Sequence, residues 1–359
     1  MRAAVCHRFG EPLTVEDVDL RRPSAGEVTV TVAACGVCHS DISFVDGVWG
    51  GALPAVYGHE VSGIVTDVGA GVDSVKPGDH AVVTLIRSCG RCFYCIRGEV
   101  TQCEGTFAID QDGPIRRPGG EPVVQGLRVG GFAECVTVHS SQVVAIASEV
   151  PLESACLLAC AAATGVGAVR NGAQVPAGAS VAVVGTGGVG LNSIQGAALA
   201  GASPVVAIEV SDSRLDAARL FGATHVINSR QVDARETLRG LTAGRGADFT
   251  FITSGNPSAM EMGLTLSRRG GTVVIVGMTP TGVTIPLDPA ELADTATRVL
   301  GSKMGSTRPH VDIPAMVQLY SVGRLKLDEL VTRRFPLDGI NEALSAARHC
   351  EGLRTVIVF

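Results

Sequence analysis

Four cysteines stand close together in the segment CGRCFYCIRGEVTQC, at positions 89, 92, 95 and 103. Four thiolates at this spacing can complete a tetrahedral shell around zinc, with sulfur–metal distances of about 2.3 Å. A complete shell leaves no position for a substrate, so Cys89, Cys92, Cys95 and Cys103 predict a structural zinc site. Three closely spaced cysteines also suit an iron–sulfur cluster, and this alternative stays open. Residues 86–130 have little hydrophobic periodicity, so a bound metal would hold a segment that lacks a core of its own.

Another cysteine pair lies in ACGVCHSD, where Cys35, Cys38 and His39 have the spacing C-x-x-C-H. The spacing alone fits a c-type haem attachment site, half of a zinc knuckle or a redox dithiol. Haem attachment goes with export, and the N-terminus MRAAVCHRFGEPLTVEDVDL has no apolar core of a secretory signal. The chain is therefore expected in the cytoplasm, where its 11 cysteines favour metal binding over disulfides.

A glycine-rich turn, GTGGVG at 185–190, follows the apolar run SVAVV and precedes a helical pattern. In this context G-x-G-x-x-G predicts a dinucleotide site. Gly185 allows the tight turn, Gly187 lets a pyrophosphate approach the backbone, and Gly190 permits close helix–strand packing. The N-terminus of the helix offers free N–H groups to the phosphates. Glu209 ends the next strand, where its carboxylate would bind the adenosine ribose and repel a 2′-phosphate, so the sequence favours NAD over NADP.

The elements that must position these residues fall into two groups. EVTVTVAAC (27–35), EVSGIVTDVG (60–69) and GDHAVVT (78–84) alternate apolar and polar residues and predict strands. From about residue 178, strands and helices alternate, which predicts an α/β fold with a doubly wound parallel sheet. We expect two domains: a mostly β domain of residues 1–161 and 306–359 with a zinc lobe at about 86–105, and a Rossmann domain of residues 162–305.

Composition limits the class of partner. The chain has 359 residues, is 46% apolar and carries a net charge of −6 without any run of Lys or Arg, so nucleic acid is not an expected partner. The most apolar stretch, ACLLACAAATGVGAV (155–169), is too short to span a bilayer comfortably. We expect it to form a buried helix, and we expect no membrane association.

Taken together, six stretches resemble the zinc-containing alcohol dehydrogenases of the medium-chain dehydrogenase/reductase superfamily. They are CGVCHSD, GHEVSGIVTDVGAGVDSVKPGDHAV, CGRCFYCIRGEVTQC, LLACAAATGVGAV, GTGGVG and LRTVIVF. The resemblance runs from about residue 25 to the C-terminus. The segment between Cys103 and Cys160 looks more like the animal-liver and glutathione-dependent formaldehyde dehydrogenase branches than the shorter yeast type. The resemblance implies a GroES-like catalytic domain, NAD, two zinc ions per chain, and a homodimer, with a tetramer as the alternative.

The resemblance also implies a second, catalytic zinc site. Cys38, His59 and Cys160 match its three ligands, the cysteine–histidine set for which alcohol dehydrogenase is the known example, with a fourth position open. Asp41 matches the carboxylate that receives the N–H of the ligating histidine. Glu60 matches an acid close behind the metal. Ser40 matches the hydroxyl that bonds the zinc-bound alcohol and begins its proton relay.

The remaining matches concern the cofactor and the reaction. Zinc would act as a Lewis acid on the alcohol, and hydride would pass to the nicotinamide. Thr164 and Val189 match residues beside the nicotinamide, Arg214 matches a basic residue near the ribose, and His39 and Arg354 match basic groups on the pyrophosphate. The expected cofactor contacts also include Gly188, Val276 and Met278.

The chain departs from the liver branch at the relay and in the substrate channel. Ser43 stands where that branch has the histidine that ends the proton relay, so protons would leave through water, His39 or Ser43, or leave more slowly. Trp49 and Leu85 fall where that branch has a smaller apolar residue and an aromatic one. We expect a mainly apolar pocket for a primary or secondary alcohol, bulky or aromatic ones included.

Three other functions remain as alternatives. A thiol-adduct formaldehyde dehydrogenase needs cations for an anionic thiol cofactor, and Arg116 and Arg117 lie in a suitable loop. A zinc-dependent C=C or C=N reductase of the same fold can dispense with the proton relay, so the altered relay keeps this alternative open. A non-catalytic NAD- or zinc-binding regulator is disfavoured, because mere binding needs no open zinc position.

Overall fold

The computed structural model describes all residues, 1–359, and they form two compact units. The first unit contains Met1–Ala161 and Arg308–Phe359, and the second contains Ala162–Thr307. The division after Thr307 falls two residues beyond the predicted domain boundary at 305. The first unit is mostly β-structure and the second is a doubly wound α/β unit, which is the predicted combination of a GroES-like and a Rossmann fold.

The first unit contains two mainly antiparallel sheets with short helices at their ends. Its strands are β1 (Arg2–Cys6), β2 (Thr14–Asp17), β3 (Asp19–Leu20), β4 (Glu27–Gly36), β5 (Ala55–Val56), β6 (Glu60–Val68), β7 (His80–Val83), β8 (Ile115–Arg116), β9 (Pro122–Gln125), β10 (Cys135–His139), β11 (Val143–Ala145), β18 (Val331–Phe335) and β19 (Arg354–Val358). Its helices are α1 (His39–Val45), α2 (Phe93–Ile96), α3 (Ala108–Gln111), α4 (Leu152–Ala155), α11 (Pro309–Ser321) and α12 (Ile340–Arg348).

The larger sheet of this unit has the order β11-β7-β6-β4-β19-β18, with β10 also paired to β4. The predicted strands at 27–35, 60–69 and 78–84 are present as β4, β6 and β7. Valines from these strands point into one apolar core together with residues of the smaller sheet and of α12, and most of them are fully buried. Burial of β-branched side chains on one face of each strand stabilises this register, because a shift by one residue would expose that face.

The second unit has a single parallel sheet flanked by helices. Its strands are β12 (Val181–Val184), β13 (Val205–Glu209), β14 (His225–Asn228), β15 (Ala247–Ile252), β16 (Ser267–Ile275) and β17 (Arg298–Gly301). Its helices are α5 (Ala161–Gly167, which begins one residue before the unit), α6 (Gly188–Leu199), α7 (Asp212–Leu220), α8 (Ala234–Leu241), α9 (Pro257–Leu264) and α10 (Pro289–Thr295).

The sheet order β14-β13-β12-β15-β16-β17 is the Rossmann order, with the topological switch between β12 and β15. The strand β12 is buried along its whole length, as expected for a central parallel strand covered on both faces. In such a sheet, ligands bind beyond the carboxyl ends of the strands at the switch point. The glycine-rich turn that follows β12 lies at this position.

The apolar stretch 155–169 is buried, but it is not the single helix that its composition predicts. The helix α4 gives way to a 3₁₀ turn at Cys156–Ala159, and Cys160 has φ −142° and ψ −66° before α5 begins. Propensity alone cannot reveal this break, because Ala, Leu and Cys all tolerate a helix. No single helix of the protein is long and apolar enough to cross a membrane; 152–159 and 161–172 pass the length and composition test only as a bent pair.

Candidate active site and metal centres

The first candidate metal centre is formed by Cys38, His59, Glu60 and Cys160. One potential ligand atom from each of these residues lies within 4.8 Å of every other, and all four residues are buried. Pairing of β4 with β6 explains part of this convergence: Gly36, the last residue of β4, is opposite Glu60, the first of β6, so Cys38, two positions beyond β4, comes near His59, the residue before β6. Cys38 and His59 are thereby brought together although they are 21 positions apart.

Asp41 fixes the positions of Cys38 and His59 through hydrogen bonds. One carboxylate oxygen accepts the Cys38 backbone N–H at 3.0 Å. The other accepts the Gly58 N–H at 3.0 Å and bonds His59 Nδ1 at 2.9 Å. Since an ionised carboxylate only accepts, the Nδ1–H of His59 donates to Asp41, and Nε2 faces the cysteines as the atom that would bind a metal. Asp41 is completely buried, so this orientation is fixed by protein groups alone.

The charges and unpaired atoms of this centre fit zinc. His59 Nε2 is buried without a hydrogen-bond partner, although it lies in the ligand group. A hydrogen bond from Cys160 lowers the pKa of the Cys38 thiol well below its usual range, against the effect of burial. Burial opposes a charge on His59, yet the Asp41 carboxylate raises its pKa well above the usual value. The pocket therefore favours a thiolate beside a positive charge, and a zinc ion satisfies the sulfurs and Nε2 together.

A buried ion pair adjoins the ligand group. Arg354 Nη2, on β19, donates to Glu60 Oε2 at 2.5 Å, and both side chains are almost inaccessible. Burial raises the pKa of Glu60 to about 7, although the Arg354 charge acts to lower it. A Cβ on Gly36 would lie 2.5 Å from Glu60 Oε2, so only glycine leaves room for this carboxylate. The resemblance implies a pyrophosphate contact for Arg354, but no sequence pattern predicts its pairing with Glu60, 294 positions away.

Cys160 is supported by two polar residues that sequence reasoning missed. Thr84, the residue after β7, donates its hydroxyl to the Ala159 carbonyl at 2.7 Å. The Gln142 amide donates in turn to the Thr84 carbonyl at 2.9 Å. Thr84 and Gln142 are fully buried. This chain of bonds fixes the non-helical turn that presents the Cys160 thiol, and no local sequence signal marks it.

The second candidate metal centre is the predicted cysteine cluster. The sulfurs of Cys89, Cys92, Cys95 and Cys103 all lie within 4.8 Å of one another. The backbone N–H groups of Cys89 and Gly105 donate to Cys103 Sγ, each at 3.3 Å. Backbone N–H groups also lower the pKa of Cys92 to about 6, whereas burial raises that of Cys95 to about 12. Four converging sulfurs, with backbone donors for negative charge, fit a closed tetrahedral zinc site.

A buried arginine sits beside this lobe. The Arg87 guanidinium stacks over the Phe107 ring, 4.4 Å from its centroid, and pairs with Asp110. His139 contacts the same ring edge-on, with centroids 4.8 Å apart. Arg87 thus joins the start of the cysteine segment to the segment that follows it. Such a stacked, paired arginine provides the local anchoring that a segment without an apolar core needs.

In the second unit, the glycine-rich turn has the geometry of a phosphate cradle. Gly185 has φ +90°, a left-handed conformation that favours glycine. A Cβ on Gly190 would lie 2.0 Å from the Gly185 carbonyl oxygen, whereas a Cβ on Gly187 would meet nothing within 4 Å. The open side at Gly187, at the N-terminus of α6, is where a pyrophosphate would approach. Gly188 and Val189 form the first turn of that helix.

Glu209 ends β13 beside this turn, as predicted. Its carboxylate accepts the N–H of Thr186 at 2.9 Å, the hydroxyl of Thr186 at 3.0 Å and the N–H of Val210 at 2.7 Å. Arg214 lies in the first turn of α7, after the next bend of the chain. Sequence reasoning missed Thr186, because it occupies a variable position of the G-x-G-x-x-G pattern.

The other predicted residues are placed as follows. Ser40 is half-buried in the first turn of α1, His39 is exposed at its first position, and Ser43 is half-buried one turn later. Trp49 packs edge-on against Phe44, with ring centroids 5.3 Å apart. In the first unit Leu85 packs against the apolar core. In the second unit Thr164 is buried in α5, and Val276 and the exposed Met278 follow β16.

Family comparisons agree with this architecture. Residues 24–148 match the alcohol dehydrogenase GroES-like domain, and residues 188–321 match the zinc-binding dehydrogenase family. An NDMA-dependent alcohol dehydrogenase from Amycolatopsis methanolica is 37% identical over 99% of this chain and 98% of its own length. An S-(hydroxymethyl)glutathione dehydrogenase from Paracoccus denitrificans is 33% identical over 100% of this chain and 99% of its own. The crystal structure of benzyl alcohol dehydrogenase from Acinetobacter calcoaceticus has a TM-score of 0.93 at 30% identity, covering 100% of this chain and 99% of that one.

A GroES-like unit with two sulfur-rich candidate metal centres and a Rossmann unit with a glycine-rich turn together define a zinc-binding dehydrogenase. The chain belongs to the zinc-containing alcohol dehydrogenases of the medium-chain dehydrogenase/reductase superfamily. The predicted family is therefore confirmed, as are an oxidoreductase activity on alcohols and the use of zinc and a nicotinamide cofactor.

Proposed function

We propose that the protein oxidises primary or secondary alcohols to aldehydes or ketones, reversibly, with NAD as hydride acceptor and two zinc ions per chain. The observation that carries this proposal is the buried group of Cys38, His59 and Cys160, with its unpaired Nε2 and its Asp41 brace. Three strong ligands leave one zinc position for a substrate. The four-cysteine group would hold the second, structural ion.

When bound, zinc supplies a Lewis acid that eases deprotonation of the alcohol, and the nicotinamide accepts a hydride. The chain's own residues do the rest. Asp41 holds the proton of His59 on Nδ1 and thereby keeps Nε2 as a ligand. Arg354 balances the Glu60 carboxylate next to the ligands. In a buried pocket these charges act with little screening by solvent.

We propose that the proton of the alcohol leaves through residues of α1. Ser40 follows Cys38 by two positions, and its hydroxyl can both accept a proton from the substrate and pass one on. Ser43 lies one turn further along the helix, where a residue three positions on shares the same side. A serine hydroxyl cannot store a proton as histidine does, so we propose that Ser43 relays it to water.

We also propose that the cofactor is NAD, that the chain forms a homodimer and that the protein acts in the cytoplasm. Glu209 at the end of β13 supports NAD over NADP, since a carboxylate there binds ribose hydroxyls and repels a phosphate. A homodimer is supported by the edge strand β17, whose Leu300 is 38% exposed and which pairs on one side only, with β16. A cytoplasmic location is supported by the six cysteines in the two metal groups, whose thiolates need a reducing compartment.

A thiol-adduct formaldehyde dehydrogenase is the second candidate, favoured by relatives such as the one from Paracoccus denitrificans. The contacts of Arg116 and Arg117, which would have to bind the anionic thiol cofactor, disfavour this candidate. Arg116 pairs with Asp112 at 2.5 Å, and Arg117 pairs with Glu121 at 2.9 Å and Glu16 at 3.2 Å. Both guanidinium groups therefore already have carboxylate partners. The reductase alternative has no contact of its own in its favour.

The deciding experiment measures NADH formation with aliphatic, secondary and aromatic alcohols and with S-(hydroxymethyl)glutathione, alongside zinc and iron content. We expect two zinc ions, no iron, and activity with simple alcohols. Cys38→Ser should abolish turnover and remove one zinc. Cys350→Ser is the matched control, because Cys350 is exposed and belongs to neither metal group. Activity with the glutathione adduct alone would select the second candidate, and full turnover in Cys38→Ser would refute the assignment.

A further inference from the structure

We propose that Thr186 is a positioning residue for the cofactor: its hydroxyl fixes the Glu209 carboxylate in one orientation, and the preference for NAD over NADP depends on it. The inference rests on the proposed function, because it concerns the same dinucleotide site. Thr186 touches the carboxylate that would meet the ribose, so it acts through Glu209.

The contacts between the two residues span neighbouring strands. Thr186 lies in the turn after β12, and Glu209 is the last residue of β13, which pairs in parallel with β12. Both the N–H and the hydroxyl of Thr186 donate to the same oxygen, Glu209 Oε2, at 2.9 and 3.0 Å. Val210 N–H donates to the other oxygen, Oε1, at 2.7 Å. Thr186 is fully buried, so water does not compete for these bonds.

The number of acceptor positions gives these bonds a consequence for binding. An ionised carboxylate has about four in-plane positions for donors. Protein groups occupy both positions of Glu209 Oε2 and one of Oε1, which leaves one position on Oε1 for a ribose hydroxyl. Because three donors hold the carboxylate, it cannot rotate away from an approaching 2′-phosphate, and the repulsion between the two negative charges is retained in full.

The side chain at position 186 is the adjustable part of this arrangement. Gly185 is required by its positive φ and Gly190 by its contact with Gly185. The backbone N–H of Thr186 remains whatever the side chain is. Only the hydroxyl can be removed selectively, and valine does so with nearly the same shape, whereas serine keeps the hydroxyl and loses the methyl group.

The test measures the dissociation constants of NADH and NADPH by fluorescence titration of zinc-loaded wild type, Thr186→Val, Thr186→Ala and Thr186→Ser. Without the hydroxyl, the Glu209 carboxylate is no longer held in its binding orientation before NADH arrives, and ordering it on binding should weaken NADH binding about tenfold. NADPH should bind unchanged or more tightly, so the preference for NADH falls by at least the same factor. Thr186→Ser keeps the hydroxyl, so its dissociation constants for NADH and NADPH should stay close to those of wild type.

Two outcomes would overturn the inference. An undiminished preference for NADH in both Val and Ala would show that the hydroxyl does not control Glu209. An equal loss in Thr186→Ser would show that shape, not the hydroxyl, matters. Wild type without any preference for NADH would instead refute the proposed NAD assignment, and the inference with it. Zinc content and circular dichroism identify a variant that fails to fold, and the second hydroxyl-free variant then decides.

Discussion

Replacing Thr84 by valine tests whether a residue outside the ligand group controls zinc binding. The Thr84 hydroxyl donates to the Ala159 carbonyl at 2.7 Å and accepts the Ile86 N–H at 3.3 Å. Valine has nearly the same volume but no hydroxyl, so both backbone groups would remain buried without these partners. Ala159 directly precedes Cys160. The Ala159 carbonyl can therefore reach another hydrogen-bond donor only if the turn, and the Cys160 thiol with it, changes position.

The expected size of the effect follows from these two bonds. A buried polar group that loses its partner costs about 1–3 kcal/mol. At about 1.4 kcal/mol for each tenfold change, this corresponds to roughly 5- to 150-fold in zinc affinity. Residues that orient a metal ligand typically change metal affinity by about 10- to 100-fold, which agrees with this range. We therefore expect Thr84→Val to bind the catalytic zinc roughly tenfold to a hundredfold more weakly.

The assay is competition for zinc with the chromophoric chelator pyridylazoresorcinol. Zinc in the four-cysteine group serves as an internal reference, because Thr84 does not touch it. Thr242→Val is the matched control: Thr242 is a buried threonine of the second unit that donates to the Leu238 carbonyl at 2.7 Å and accepts the Gly246 N–H at 2.9 Å. Both substitutions should lower stability, but only Thr84→Val should release one zinc at lower chelator concentration.

The reasoning is refuted if Thr84→Val retains both zinc ions as firmly as the Thr242→Val control. In that case the Ala159 turn would hold Cys160 without the hydroxyl. A loss of both zinc ions together would also contradict it, because the structure ties Thr84 to only one centre. Added zinc should restore turnover in the variant if weaker binding is the whole effect.

Three further predictions concern the metal lobe, the substrate channel and pH. Cys92→Ser should remove the structural zinc while the catalytic zinc stays, with the lobe at 86–105 becoming sensitive to protease; two zinc ions by metal analysis would contradict this. Trp49→Ala should raise kcat/KM for bulky alcohols relative to ethanol by about tenfold, and an unchanged ratio would remove Trp49 from the channel. The third prediction concerns His139, whose Nδ1 accepts the Ser141 N–H at 3.2 Å. Its pKa is lowered mainly by burial and, to a smaller extent, by the Arg87 charge. A lowered pKa stabilises the folded protein above the unfolded value of about 6.5, and this contribution is lost as the pH falls. Wild type should therefore lose more stability than His139→Gln in thermal unfolding between about pH 7.5 and 5.5; parallel losses would be the contrary result.

Features that depend on neighbouring residues could be predicted from the sequence. The four-cysteine group converges because its members lie within one short segment, and the glycine-rich turn is recognisable between an apolar strand and a helix. The strand–helix alternation indicated the parallel sheet and, with it, the place of Glu209 at a strand end. Each of these signals arises from steric or coordination requirements that act over a few positions.

One expectation, the single buried helix at 155–169, failed because tertiary contacts override local preference. The stretch 155–169 has the composition of one buried helix, yet Cys160 breaks it. The break is stabilised by Thr84, which is 75 positions away from Ala159, and by a bond from Ser62 to the Leu152 carbonyl. Helix propensity contains no information about such partners.

The sequence by itself therefore determined the two-unit architecture, the four-cysteine group and the glycine-rich turn between strand and helix. The proposed catalytic ligands could be named only through the family resemblance, since Cys38, His59 and Cys160 share no local pattern. Tertiary structure decided how they meet: β4 pairs with β6 on one side and with β19 on the other, so that Gly36 lies opposite both Glu60 and Val356. This pairing places Glu60 and Arg354 beside the ligands as one buried ion pair. Strand register is set by the burial of a whole sheet face, and so the position of these charges depends on the complete fold.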